Sequence, residues 1–564
     1  MPIYQRVFAS RTFIVLLFPS IAALFTVWVN ARDLILKIDS RIASGDLNAF
    51  YAIVHSKMNS GQQEGSFFGQ PYGQDFDSIP SMDTLYIGLL KVLNLIVGNS
   101  IVSVNILIIL LFVLNSLLLS WLFRLLKFPH IISFFALLIV LSLPWQTGRI
   151  FHISLIPFMV CFLGIISILI PSTVSNYKSK VLTLGIFLGL FFSYFTLYGL
   201  IMFFIYALAQ KEKVKLSYLV VFPFGAGIGF LFNYAVSTDF FSKTSLATNR
   251  GVWESHTYGG VPFLPWIPLP WNSVLSKTRY QELLNEFPAA NESEAWSNYG
   301  GLGISILLCI FLGLQIYALF TKKSSEWYSG SQVRQFILTF LVMYAFFIRD
   351  GLGIAFSALI SPQFRAWNRI TPILQVLIVI LAFKTLLLLK EDLSKQTNLK
   401  LGTVMCVILT FLVWAQFSDT SKISPKVNDA QESELKSFAM EVKKADMKDS
   451  CSIFQYPVLG FPEIPPYEKI LDYDSFLVPM YVDKYTWSYG TLKTNTEFEK
   501  FRLSFDLSDT NSQSRLMQMG FCGLLLDNFG SSVDRAFLDQ IVDWDIYQTI
   551  QSSSGRWTFL SFTS

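Results

Sequence analysis

The chain has 564 residues, of which 52% are hydrophobic, 16% aromatic and 15% charged, and its formal net charge is +4. Soluble domains carry about 25% charged residues, so this composition excludes an ordinary soluble protein. A net charge this small over such a length does not indicate nucleic acid as a partner. The four histidines and five cysteines are too few and too scattered to predict a structural zinc site.

Recurring apolar runs predict a polytopic α-helical membrane protein with about eleven transmembrane helices. The first run, 12–29, follows Arg6 and Arg11 and has no small-residue cleavage site, which favours a retained helix over a signal peptide. A helix needs about 20 apolar residues to cross the hydrocarbon of a bilayer. The later runs cover 101–123, 129–145, 153–170, 181–210, 216–237, 301–321, 333–348, 369–389 and 400–417.

The orientation of these helices is predicted from the basic residues of the short loops. The run 181–210 is too long for one span and is interrupted by the stretch 193–199, so we divide it into two short helices. With that division the basic loops all fall on one side, as expected for the cytoplasm. The N-terminus is then cytoplasmic and the C-terminal end is outside. The residues on the basic side are Arg6, Arg11, Arg124, Lys127, Lys178, Lys180, Lys211, Lys213, Lys215, Lys322, Lys323, Arg334, Lys390, Lys395 and Lys400.

Three long segments share the outer side: an opening loop (34–100), a second loop (237–300) and a tail (418–564). The opening loop is predicted to be polar, and residues 1–417 with these two loops form the membrane-embedded domain. Helix-like and strand-like stretches alternate in the tail, which predicts a soluble extracytoplasmic α/β domain. These stretches are 433–445, 451–456, 522–526 and 533–542. Cys451 and Cys522 lie in the tail, and the sequence leaves open whether they form a disulfide.

Asp46 is the first candidate for chemistry. Gly45-Asp46 precedes a helix-like run from Leu47 to Met58. One interpretation is that Asp46 caps this helix, which contributes about 1 kcal/mol. The other is that a carboxylate held just above the bilayer removes the proton of an acceptor hydroxyl. Both roles are compatible, and Asp46 is therefore our candidate general base.

Four cationic or imidazole side chains are candidates for holding a phosphate. Arg149 and His152 share a very short outer turn, where Arg149 either anchors the interface or binds a lipid-linked phosphate with His152. Arg365 and Arg369 follow a semi-apolar stretch, 354–360, that is too short to cross a membrane. They are four residues apart and are expected on one helical face. One interpretation is that both arginines anchor the chain at the membrane interface. We favour phosphate binding, because charged groups at membrane depth are costly and usually functional, and because the guanidinium geometry fits phosphate oxygens.

The second loop adds carboxylates but no nucleotide motif. Glu254 and Glu292 are candidates for holding an acceptor or a metal, whereas surface solvation accounts for Glu294. The chain has no Walker loop, no dinucleotide fingerprint and no GxSxG motif. The predicted inner loops are short, which argues against a nucleotide-sugar donor and for a lipid-linked donor that approaches from the outer leaflet.

Taken in order, these motifs resemble those of the GT-C class of integral-membrane glycosyltransferases, which use polyprenyl-phosphate-linked donors. The similarity is greatest to a bacterial branch whose members are sometimes called sugar or phosphoglycerol transferases, and it covers nearly the whole chain. The matching segments are Gly45-Asp46, 71–76, His152 with Ser154, Tyr194-Phe195, Asn291-Glu292, 299–303, 365–369, 461–466 and 487–490.

The resemblance implies an inverting sugar transfer from a polyprenyl-phosphate donor to a glycan, lipid or protein acceptor of the cell envelope. It places the chain in the bacterial inner membrane and assigns the base to Asp46. Many members have an acidic pair in the first outer loop, and in this chain Asp39 is the possible partner of Asp46. The resemblance leaves open whether a divalent cation is required. The alternative is a non-enzymatic transporter or assembly factor for lipid-linked glycans. Transporters favour paired halves with matched broken helices, and the sequence has no such halves.

Overall fold

The structure is a computed structural model. It describes residues 18–29, 31–42, 45–59, 67–74, 76, 84–191, 193–210, 216–236, 251–269, 295–321, 331–362, 364–393, 398–420, 426–445, 447, 451–462, 467–509, 511–530 and 544–562. Within these residues the chain forms helices that occupy its first three quarters and a mixed sheet near its end. The expected fold class, a polytopic helical chain with a C-terminal α/β layer, is confirmed.

Seventeen helices of at least seven residues occur in the described part. Those up to the second loop are α1 (Phe18–Val29), α2 (Gly45–Asn59), α3 (Thr84–Val97), α4 (Ser100–Leu125), α5 (His130–Leu141), α6 (Leu163–Leu169), α7 (Tyr177–Gly189), α8 (Ser193–Ala209) and α9 (Leu216–Val236). The later ones are α10 (Leu302–Phe320), α11 (Ser331–Phe347), α12 (Leu352–Leu359), α13 (Thr371–Leu393), α14 (Asn398–Thr420), α15 (Asp429–Lys444), α16 (Thr496–Ser504) and α17 (Ser512–Gln518).

Three of the described helices are long and apolar enough to cross a membrane by length and composition: α4, α10 and the run Trp367–Leu389 that contains most of α13. Eight further apolar helical stretches are shorter, with 10 to 17 residues, and one of these, Ile153–Leu169, joins 3₁₀ turns to α6. One of them, α3, corrects the prediction of a wholly polar opening loop. It was missed because its 14 residues are too few for a span. Leu95 and Ile96 are 86% and 77% exposed on its outer face.

The apolar run 153–170 does not form one continuous α-helix. Only α6 is α-helical; the preceding part is irregular, with two short 3₁₀ turns at Ile153–Leu155 and Phe158–Phe162. Asn115 of α4 compensates for the lost helical bonds: its Nδ2 donates to the Ile156 carbonyl at 2.6 Å and its Oδ1 accepts from the Met159 amide at 3.2 Å. Irregular backbone is tolerated at membrane depth when it is buried in protein, and this segment is.

The predicted break within 181–210 is confirmed, but it lies before residue 193 rather than in 193–199. It separates α7 from α8, and α7 then packs closely along α9. Four glycines make that contact possible. A Cβ placed on each would lie 2.1–2.4 Å from a backbone oxygen of the partner helix. Such small-residue pairs bring membrane helices into backbone contact. The glycines are Gly185, Gly189, Gly225 and Gly229.

The tail contains a five-stranded sheet in the order β2-β1-β3-β5-β4. Its strands are β1 (Ser452–Tyr456), β2 (Thr486–Trp487), β3 (Phe521–Asp527), β4 (Ile546–Gln551) and β5 (Trp557–Phe562). β1 runs parallel to β2 and β3, whereas β5 is antiparallel to β3 and β4. The predictions of β1, β3 and α15 are confirmed, and 533–542 lies outside the described residues. Cys451 and Cys522 form a disulfide with a Cα–Cα distance of 5.9 Å.

The opening loop and the tail are joined by main-chain hydrogen bonds. The segment 67–70 lies along β2, where the Phe67 carbonyl accepts from the Trp487 amide at 3.0 Å and the Gly69 amide donates to Tyr489 at 3.0 Å. One apolar core continues from the membrane helices through this junction into the sheet. The tail is therefore packed against the opening loop, and the domain boundary at 417/418 stays a prediction.

A buried ion pair reinforces this junction. Arg41, 2% exposed, lies 3.2 Å from Glu432 of α15 and donates to Asn48 of α2 at 2.8 Å. The hydroxyl of Tyr481 also donates to Glu432. Burial raises the pKa of Tyr481, so this phenol stays protonated and keeps donating. The pair thus fixes α2 relative to the tail.

Candidate functional site

Asp46 is placed by the first turn of α2. The helix begins at Gly45, so Asp46 lies inside it and is not the N-cap residue, which corrects the capping interpretation. A carboxylate in the first turn still favours the helix because it faces the positive end of the helix dipole. Its Oδ2 atom lies 2.9 Å from Nε2 of His152. The Asp46 side chain is 45% exposed and that of His152 is 31% exposed, so this acid–imidazole pair is open to solvent.

The turn that carries His152 is held from both sides. It follows a short buried helix, Pro144–Gly148, and the Arg149 and His152 amides donate to Trp145 and Arg149 carbonyls at 2.9 Å. The Arg149 guanidinium stacks on the Trp145 ring at 4.9 Å and its residue is only 4% exposed. Arg149 therefore lies beneath the turn rather than snorkelling to a surface. Arg149 and His152 thus share one turn, and the structure also brings Asp46 to His152, a contact that the sequence did not predict.

Arg365 and Arg369 do not share a helical face, and that expectation is wrong. Residues 365 and 366 precede a 3₁₀ turn, Trp367–Ile370, which then leads into α13. Nε of Arg365 lies 2.7 Å from Oε2 of Glu254, and both side chains are largely buried. The Arg365 guanidinium also stacks on Tyr258 at 5.4 Å. The structure thus places Glu254, a candidate for holding an acceptor or a metal, against this arginine.

Arg369 has different surroundings. Its guanidinium lies 4.8 Å from the centre of the Tyr194 ring, at the start of α8. Its Nε atom is buried without a hydrogen-bond partner, and none of the described carboxylates forms an ion pair with it. One turn further along α8, the Tyr198 hydroxyl donates to the Ala366 carbonyl at 3.0 Å. Arg369 is thus a cation held by aromatic packing, with its charge available to an anion.

Packing of the irregular segment 153–162 relates these two groups. This segment follows His152 directly and lies against α8, the helix that carries Tyr194 and Tyr198. Cys161 contacts the Phe195 carbonyl at 3.6 Å. The helix whose Tyr194 packs on Arg369 therefore lies against the same segment that follows His152.

Asp39 and Glu292 are the remaining candidates. Asp39 contacts Lys436 of α15 at 3.3 Å. Partial burial raises the pKa of Asp39, but the Lys436 ammonium offsets this and holds it below its usual value. Asp39 therefore takes part in the junction between the opening loop and the tail. Glu292 lies outside the described residues.

Sequence reasoning missed two acidic residues near these groups. Asp350 contacts His256 at 2.6 Å on the exposed surface beside Glu254. Asp472 of the tail lies against Gly45, the residue before Asp46. Asp350 has a left-handed backbone (φ +62°), and its neighbour Gly351 gave the only local signal.

Within the described ranges, no group of three or more His, Cys, Asp or Glu side chains is arranged to hold a metal ion.

Comparison with known proteins gives a distant likeness. No protein-family model and no curated protein matches the sequence. Two crystal structures of ArnT from Cupriavidus metallidurans are similar over 98% of both chains: the apo state at 11% identity and a TM-score of 0.43, and the state bound to undecaprenyl phosphate at 12% identity and a TM-score of 0.45. A likeness this distant assigns no activity, so the function has to be inferred from the residues of this chain.

Proposed function

We propose that the protein is a membrane glycosyltransferase that moves a sugar from a polyprenyl-phosphate donor to an acceptor of the cell envelope. Transfer takes place on the side of the membrane where the opening loop, the second loop and the tail lie. The acceptor is a hydroxyl-bearing glycan, lipid or protein. In this proposal the N-terminus is cytoplasmic and the tail extracytoplasmic, in the inner membrane of a bacterium.

The observation that carries the proposal is the exposed pair of Asp46 and His152. Two side chains more than a hundred residues apart meet at 2.9 Å beside membrane helices, and both remain accessible. A general base must reach the proton that it removes, so accessibility is the first requirement. Arg369 supplies the second element, a cation at the start of α13 without a carboxylate partner among the described residues.

The chemistry assigned to these groups is a displacement at the anomeric carbon. Asp46 accepts the proton of the acceptor hydroxyl while the acceptor oxygen bonds to the anomeric carbon. The bond from that carbon to the phosphate oxygen breaks, and the electron pair leaves on the polyprenyl phosphate. The attack inverts the anomeric centre. His152 holds the Asp46 carboxylate in place through its Nε2 hydrogen bond.

Charge stabilisation at the departing phosphate falls to Arg369. A cation aimed at developing negative charge, in a site with little water, is the largest single contribution in many enzymes. Arg365 contributes less in this scheme because Glu254 already contacts its guanidinium. The polyprenyl chain lies along the membrane helices, and the donor sugar faces Asp46.

The test is sugar transfer by the purified full-length protein in lipid nanodiscs. The probes are undecaprenyl-phosphate sugars with a panel of envelope acceptors, and the products are lipid-linked phosphate and a glycosylated acceptor. Asp46→Asn should lower turnover by about a hundredfold to ten-thousandfold, because an amide cannot accept the proton at neutral pH. Asp509→Asn, an exposed tail carboxylate, is the matched control with unchanged turnover.

Two results would contradict this function. Turnover of Asp46→Asn close to that of the unaltered protein would remove Asp46 from the role of base. Tight binding of the polyprenyl-phosphate sugars with no transfer or hydrolysis under any acceptor would instead favour a carrier of lipid-linked glycans.

A further inference from the structure

We propose that the tail sets the position of Asp46 by packing against Gly45, the first residue of α2. The tail thereby affects the rate of the chemical step of sugar transfer. The inference rests on the proposed function, because it concerns the candidate base. The clamp is the tail loop, residues 471–476, which precedes β2 in the chain.

The contact itself is direct. A Cβ placed on Gly45 would lie 3.5 Å from the Asp472 carbonyl oxygen and 3.7 Å from the Asp472 Cβ. A side chain at position 45 would therefore be in ordinary van der Waals contact with Asp472, so the tail loop lies next to α2 one residue before Asp46. Residues 474–476 and 479–481 continue the contact along α2. The Phe476 ring packs edge-on against Phe68 of the opening loop at 4.8 Å.

The tail loop is rigid for reasons that lie inside the tail. Arg556, 5% exposed, donates through Nη2 to Asp474 at 2.8 Å and to Asp527 of β3 at 3.0 Å. Asp474 in turn accepts from the Leu471 amide at 3.3 Å, which closes the loop on itself. Breaking a buried ion pair by removing one partner costs about 3–5 kcal/mol. The contacts of Arg556 with the two carboxylates therefore oppose local unfolding of the tail loop.

Backbone strain in the loop supports the same conclusion. Tyr473 has a φ of +67°, in the left-handed region that an aromatic residue rarely adopts. Such a conformation persists only where the surroundings impose it. Here the residue is 8% exposed, and the centre of its ring lies 5.8 Å from that of Phe461. The residue between Asp472 and Asp474 is therefore fixed by packing, and the Asp472 carbonyl is presented to Gly45 in one orientation.

Asp46 has its own partner on the other side, His152. The first turn of α2 is thus held between the tail loop and the 149–152 turn. Displacement of the tail loop would move Asp46 relative to His152 without removing any group that reacts. Asp472 is accordingly a positioning residue, and its effect should appear in kcat and not in the donor KM.

A cross-link tests the geometry without any assay of activity. The Cβ separation of 3.7 Å matches that of natural disulfides, about 3.8 Å. The double variant Gly45→Cys with Asp472→Cys should form a disulfide on mild oxidation, identified by peptide mass mapping. Gly45→Cys with Asp509→Cys should not. Failure of the first pair to cross-link in the folded protein would overturn the proposal even if Asp46 proves to be the base.

A steric series then tests the consequence for turnover. Gly45→Ala should have a small effect because its Cβ fits, whereas Gly45→Leu should lower kcat about tenfold or more with the donor KM unchanged. Gly88→Leu, in α3, is the control, since no atom lies within 4 Å of its Cβ position. Equal kcat in Gly45→Leu and the unaltered protein would show that the clamp does not set the base.

The cross-linked protein gives the last discrimination. If the clamp is fixed during turnover, the oxidised double variant should work at the rate of its reduced form, with the unaltered protein reduced in parallel to account for Cys451–Cys522. A rate that falls on oxidation and returns on reduction would overturn a fixed clamp. If the unaltered protein shows no sugar transfer, that result would contradict the proposed function, whereas the cross-linking result would still report the contact between Gly45 and Asp472.

Discussion

The Glu254–Arg365 ion pair and the Asp46–His152 pair differ in burial, and from this difference we infer different roles for the two pairs. Glu254 and Arg365 have side chains only 9% and 15% exposed and lie 2.7 Å apart. Asp46 and His152, at nearly the same separation, are 45% and 31% exposed. The buried pair is committed to holding the second loop on the start of α13. The exposed pair keeps both partners within reach of a substrate, and Arg369 resembles it in leaving its charge available.

The largest effect that sharpens this comparison is expected at Arg369. Arg369→Ala should lower turnover by about a hundredfold to a thousandfold, since one group that stabilises developing charge contributes about that much. Thermal stability should change little, because no described carboxylate pairs with the guanidinium. The measurement is kcat/KM for the polyprenyl-phosphate donor alongside the melting temperature. Strong destabilisation with unchanged turnover would make Arg369 architectural as well.

Arg365→Ala should show the opposite balance. Removing one partner of a buried ion pair costs about 3–5 kcal/mol. The variant should therefore unfold at a clearly lower temperature, with turnover of the folded fraction reduced less than in Arg369→Ala. Double replacement by Glu254→Gln and Arg365→Gln should recover part of the lost stability, since it removes both charges. An Arg365→Ala protein as stable as the unaltered one would break the comparison.

A tightly packed region away from the site provides a further contrast. Gly229→Val should separate α7 from α9, because its Cβ would lie 2.2 Å from the Ile186 carbonyl oxygen. Overpacking typically costs about 1–3 kcal/mol, and backbone contact places this site at the upper end. Gly227→Val is the matched control in the same helix, where no atom lies within 4 Å of the Cβ position. Equal melting temperatures for the two variants would contradict the close helix contact.

Much of the helical frame follows from the sequence because it depends on local properties. Apolar length predicted α4, α10 and α13. The length of the run 181–210 also predicted its division into α7 and α8, although the break lies before the stretch 193–199 that was taken to mark it. The irregular segment after His152 was not predictable in this way, since its backbone is satisfied by Asn115 of another helix. Likewise, α3 is apolar but too short for the span criterion.

The candidate site was predicted in part for the same reason. Asp46, His152 and Arg369 stand out as polar groups beside apolar runs. Their partners depend on contacts between distant segments: Arg41 meets Glu432 across 391 positions, and Asp472 meets Gly45 across more than 400. No local pattern encodes such pairs. The sequence suggested Asp39 as a partner of Asp46 and gave no sign of Asp472, which the fold brings beside Gly45.

The smallest expected effect concerns pH and the junction between opening loop and tail. His55 of α2 packs edge-on against Phe67, and burial lowers its pKa from 6.5 to about 4. The nearby Asp483 carboxylate opposes this shift and the Lys443 ammonium adds to it, but burial is the largest cause. His55 is therefore neutral in the folded protein at pH 6, whereas the same side chain in the unfolded chain is largely protonated.

The sign of the pH dependence follows from this difference. The unfolded state binds more protons between pH 6.5 and 4, so the contribution of His55 is complete above pH 6.5 and is lost as the pH falls toward 4. A shift of this size corresponds to at most about 3 kcal/mol. Melting temperatures measured from pH 7.5 to 4.5 should fall less steeply for His55→Gln than for the unaltered protein. Parallel curves for the two proteins would show that protonation of His55 does not set the pH dependence of stability at this junction.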